Sequence, residues 1–90
     1  MRLHELTSLI ERLDGRLKLG LEATPPIPII STGTSADHFV LITGSTDHTP
    51  LTVAAFKPQL IAQSTDLLIV SPPAHRIFGI RQSDGWLLFK

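Results

Sequence analysis

The sequence predicts an α+β domain: an N-terminal helix packed on a twisted, mainly antiparallel sheet of five or six strands. Three observations carry this expectation. Leu3, Leu6, Ile10 and Leu13 repeat at alternating steps of three and four, the spacing of one helix face. Phe39–Ile42 and Leu67–Val70 are short apolar runs between turn-forming segments, as strands are. Arg76–Gln82 and Trp86–Lys90 flank Ser83-Asp84-Gly85, where Gly85 can take the positive φ of a hairpin turn. With 90 residues the chain has the length of one small domain, residues 1–90.

The opening helix is built from good helix formers with no proline to interrupt it. Leu9 widens its apolar stripe. Asp14-Gly15 leaves two continuations. The helix can run on through Leu17 to Gly20, or stop at Gly15 and be followed by a strand over Arg16–Ala23. Every second residue of that stretch is apolar, and Gly15 inside a helix costs about 1 kcal/mol relative to alanine, so the strand is favoured. Thr24-Pro25-Pro26-Ile27-Pro28 is stiff and extended, because each proline fixes its own φ and restrains its predecessor. Its P-x-x-P spacing lacks a close arginine and reads as a rigid connector.

Ile29-Ile30 can begin an edge strand, and Ser31–Ser35 has the composition of a loop. His38–Thr43 is a strand, Gly44–Pro50 a loop, and Leu51–Phe56 a second strand that would form a hairpin with the first. Pro58 suits the first position of a short helix, Pro58–Gln63, where its missing N–H is not needed. Leu67–Val70 is a further strand, ended by Pro72-Pro73.

The balance of charge narrows function. Eight basic residues face eight acidic ones, and both halves of the chain are balanced, so phosphate-backbone binding has no electrostatic footprint. The absence of cysteine excludes disulfides, thiolate nucleophiles and zinc ribbons. No apolar run approaches the roughly 18 residues of a membrane span, and the first residues are charged, so the expected setting is the cytoplasm without membrane attachment.

Candidate chemistry is thin. Asp37-His38 and Asp47-His48 invite a metal, but adjacent strand residues point to opposite faces, and no pair has helical or finger spacing. No metal or other cofactor is therefore expected. Ser31–Ser35 lacks the lysine and the following helix of a phosphate loop. Ser71 and His75 have no nearby acid, and no G-x-S-x-G elbow occurs. Arg76, Phe78, Arg81, Trp86, Phe89 and Lys90 could stack single-stranded nucleic acid, but overall neutrality opposes it.

The faces of the strands are more telling. Phe39 and Leu41 point one way, Val40 and Ile42 the other, and Leu67–Val70 is likewise apolar on both sides. Such strands need cover on both faces. One helix covers one face, so the other must be closed by curling of the sheet, by the hairpin or by another molecule. The sequence therefore predicts a small non-catalytic protein–protein interaction or regulatory module that self-associates as a homo-oligomer or holds an unknown protein partner. The alternative is a small ligand-binding protein or enzyme with a pocket between subunits. The candidate binding residues are His38, His48, His75, Phe78 and Trp86, with no catalytic residue assigned.

Overall fold

A computed structural model describes residues 1–63, 66–72 and 75–90. The chain is α+β, with the elements α1 (Leu3–Ile10), β1 (Lys18–Leu21), β2 (Ile27–Ser35), β3 (His38–Thr43), α2 (Val53–Ile61), β4 (Leu68–Ser71), β5 (His75–Arg76), β6 (Ile80–Ser83) and β7 (Trp86–Phe89). The expected N-terminal helix is present. The sheet has seven strands, not five or six, in the order β5-β4-β3-β2-β1-β7-β6. It is mixed: β1 with β7 and β3 with β4 are parallel, and the other four pairings are antiparallel.

Helix α1 stops at Ile10, short of Leu13, and the period-two reading of the next stretch holds as β1. Leu3, Leu6 and Ile10 are buried, whereas Leu9 is exposed and does not widen the stripe. The first turn of α1 is held from both sides. The Glu5 carboxylate accepts from the Arg2 N–H at 3.0 Å, and Asp66 accepts from the His4 N–H at 3.0 Å. These acceptors satisfy backbone donors that a helix start leaves free.

Three expectations fail between residues 27 and 61. Ser31–Ser35 is not a loop but the second half of β2, paired with β3 through Ser35↔His38 after a bulge at Ile30. β1 pairs only with Ile27 and Pro28, so this polar half has a free edge, where hydroxyl side chains are well placed and threonine fits the pleat. Residues 51–56 are not a strand, and the expected hairpin with His38–Thr43 does not form. Thr52 caps a helix instead, its hydroxyl accepting from the Ala55 N–H at 3.3 Å. The first free N–H groups of α2 reach the carbonyls of Leu17 and Gly15 at 2.9 Å each. Pro58 lies inside this helix rather than opening one. Its missing donor is tolerated opposite the exposed Ala54.

Leu51 wedges into the gap where β1 and β2 diverge. It donates to the Ile29 carbonyl at 2.8 Å and accepts from the Leu19 N–H at 2.9 Å. The hairpin turn is as expected: Asp84 and Gly85 both have positive φ, 49° and 80°, the signature of a two-residue turn matched to strand twist. The first arm begins only at Ile80, and residues 75–76 form β5. β4 ends at Ser71 as expected from the following prolines, of which Pro73 lies outside the described residues.

β5 and β6 are opposite edges of the sheet, yet only residues 77–79 separate them. A flat seven-stranded sheet would place its edges roughly 29 Å apart, and three residues reach about 14 Å at most. The sheet therefore curls until its edges meet. The seam is hydrogen-bonded: Ile77 donates to Ile69 at 3.1 Å, and Phe78 and Gly79 both donate to Lys90, at 2.7 and 3.1 Å. Two residues opposite one make a bulge that bends the closing segment.

Both helices pack on one face. Leu3, Leu6, Ile10, Val53, Phe56 and Leu60 share a single core with sheet residues including Phe39, Leu41, Ile69, Leu87 and Phe89. The Phe56 ring contacts Phe39 and Phe89 at centroid distances of 6.2 and 6.1 Å. The second helix thus thickens the cover on one side; among the described residues the other side of the sheet, here the outer face, carries no helix.

Candidate functional site

The outer face divides into two halves. Alternation and register place Lys18, Gly20, Trp86, Leu88 and Arg81 together on β1, β7 and β6. This half carries its own lid. The Trp86 ring lies on Gly20 so closely that a Cβ there would come within 2.9 Å of the ring. The Lys18 ammonium sits 4.9 Å from the ring centroid, a cation–π contact. Arg81 pairs with Glu22 across β7, and Leu88, between those strands on the same face, is only 4% exposed.

The other half comprises the outer sides of β3 and β4. Val40 pairs with Val70 in register, and Val70 with Arg76. Ile42 is 39% exposed, while Val40, Val70 and Leu68 are half-buried. Across the seam Phe78 is 73% exposed, with the Arg76 guanidinium 5.6 Å from its ring centroid. Neighbouring outer positions on β2 are Ser31 and Gly33, too small to shield Ile42 and Val40 opposite them.

The residues singled out from the sequence fall in separate places. His38 is half-buried on the open half and lines a cleft of about 300 Å³ with Ser35, Val40, Val70, Ser71 and Pro72. Trp86 belongs to the lid of the other half. Phe78 stands on the closing segment. His48 lies in the loop between β3 and α2 and spends Nδ1 on that loop, accepting from the Ser45 N–H at 2.8 Å. Its ring packs on Gly44, where a Cβ would meet Nδ1 at 2.7 Å. In the same loop Asp47 is held below the ordinary carboxylate range, first by the Ser45 hydroxyl.

His75 faces Ser71 in register. They line a second cleft, of about 330 Å³, at the end of the sheet, where Glu22 supplies the acid missing from the local sequence. The three do not form a nucleophilic relay. The Ser71 hydroxyl reaches only the Pro72 carbonyl at 3.5 Å, and Glu22 is bound by Arg81. A base within hydrogen-bond reach of the nucleophile is what such chemistry needs. Local spacing could not reveal this cleft, because Glu22, Ser71 and Phe89 come from distant parts of the chain.

Among the described residues no group of three His, Cys, Asp or Glu side chains could hold a metal ion, and no helix is long and apolar enough to cross a membrane. Comparison with known proteins yields no matching family model, no similar curated protein and no similar solved structure.

Proposed function

We propose that this chain is a small non-catalytic interaction module that self-associates through the outer face of β3 and β4. The observation that carries the proposal is the apolar row Val40, Ile42 and Val70, with Ile42 exposed and both valines half-buried, beside a half of the same face that has its own aromatic lid. Apolar surface left next to a lidded region marks a contact site more than a packing fault. The formal net charge of zero removes long-range repulsion between copies. A two-fold dimer, the commonest soluble assembly, would bring the same row from two copies face to face.

Size-exclusion chromatography with light scattering over a concentration series tests this. The expected result is a mass rising toward two chains as concentration increases. A mass of one chain throughout removes the proposal.

A second reading has an observation of its own. The cleft beside His38 lies on this open half, so a second copy seated there would roof it and form a pocket between subunits. That reading requires His38→Gln to abolish binding of a small molecule in the dimer while leaving the dimer intact.

A further inference from the structure

The cleft at the end of the curled sheet has the composition of a ligand site. Leu21, Ile27 and Phe89 form an apolar wall from β1, β2 and β7, and Ser71, His75 and Lys90 supply polar groups from the strands that approach them. Its volume of about 330 Å³ sits at the lower end of the range that holds small organic molecules.

Two features point to the charge of the occupant. Ser71 is the one buried polar residue of the core region described, 1% exposed. Among the described residues its hydroxyl has only the 3.5 Å contact to the neighbouring Pro72 carbonyl, the outer limit of a hydrogen bond. A buried donor so poorly used calls for an explanation, and an acceptor brought by a ligand is one. The acid at the rim, Glu22, is already paired with Arg81. Among the described residues, neither Lys90 nor His75 takes part in an ion pair.

We infer that this cleft binds a small carboxylate with an aliphatic or aromatic body. The body lies on Leu21, Ile27 and Phe89, and the carboxylate faces Lys90 and His75 with the Ser71 hydroxyl donating to it. Charge-assisted hydrogen bonds of this kind are the stronger class. The site shares Ser71 and Pro72 with the cleft beside His38, but its apolar wall and its cations lie off the open row, and it does not depend on self-association.

Backbone amide NMR of the full chain, titrated with benzoate and hexanoate and with benzamide as the uncharged control, tests the inference. The expected result is saturable shifts at Leu21, Ser71 and His75 with either carboxylate, and much weaker effects with benzamide. Lys90→Gln and His75→Gln, both at exposed positions that leave the core untouched, should each weaken benzoate several-fold. The inference is overturned if neither carboxylate saturates by about 10 mM, which would put any affinity below about 3 kcal/mol. It is equally overturned if benzamide matches benzoate, if the shifts map elsewhere, or if both variants bind as the parent does. None of these outcomes bears on whether the chain forms dimers.

Discussion

The two halves of the outer face solve the same problem differently. On β1 and β7 the strands are narrow and partly apolar, and the chain closes them with Trp86 laid over Gly20 and an ion pair spanning β7. On β3 and β4 the strands are apolar on both sides, and among the described residues no large side chain lies over Val40, Ile42 and Val70, which leaves Ile42 exposed and the valines half-buried. A glycine beneath an indole makes a lid in one place; glycine and serine beside valine and isoleucine leave a window in the other. The same residue type therefore signals opposite things. What decides is whether a large side chain on the neighbouring strand lies across the small residue, as Trp86 does over Gly20 from the diagonal position.

The sharpest way to break this comparison is to remove what the lid protects. Leu88→Ala should cost about 2–5 kcal/mol of stability, the usual loss for a buried leucine, read by denaturant unfolding. Gly20→Ala should cost about 1–2 kcal/mol, since the added methyl is forced against Trp86 and the Ile27 carbonyl at 3.2 Å. That strain exceeds the roughly 0.4–1 kcal/mol that alanine gains by restricting the unfolded chain. Trp86 fluorescence should shift to the red as the ring is lifted. An unchanged spectrum with unchanged stability would mean the lid is not tight.

On the open half the expectation reverses. Ile42→Lys should change the stability of the isolated chain by less than about 0.5 kcal/mol, as exposed substitutions do, while abolishing self-association. A loss comparable to that of Leu88→Ala would show that the window is in fact closed.

The smallest effect concerns the anchor that ties α1 to β4 on the helix side. Asp66 is held below its ordinary carboxylate value, first by the His4 backbone N–H and then by the His4 side chain at 2.5 Å and Arg2. A lowered folded value means the charge stabilises the fold above the unfolded carboxyl value near pH 3.9. That contribution is lost as pH falls through the lower folded value. Asp66→Asn should therefore flatten the decline of stability at acid pH, measured by thermal unfolding, and leave the neutral-to-alkaline profile parallel to the parent's.

Much of this architecture is legible in local sequence. His38–Thr43 reads as a strand from its apolar run, and Ser83-Asp84-Gly85 as a turn from the one residue that freely takes positive φ. The two-sidedness of β3 follows from alternation alone, so the open row was visible before any fold. The failures share a cause in tertiary context. Leu51–Phe56 looks like a strand because Thr52 and Val53 are β-branched, yet the N-cap hydroxyl and the burial of Val53, Phe56 and Leu60 along one helix face decide for α2. Ser31–Ser35 looks like a loop because its polarity suits solvent, and an edge half-strand is also solvated.

The sites were less legible than the fold. Closure of the sheet joins residues 75–83 to both edges, and no local pattern encodes that. Sequence spacing offers His75 only Ser71 as a local partner. Its neighbours Glu22 and Phe89 reach it only because the sheet curls.

The central claim is that a second copy covers the open half of the outer face. An isotope-filtered NMR experiment on a mixture of labelled and unlabelled chains tests it directly, by detecting contacts only between copies. The account predicts intermolecular contacts at the methyl groups of Val40, Ile42 and Val70. Contacts confined to Trp86 and its surroundings, or none at concentrations where the mass is that of two chains, would contradict it.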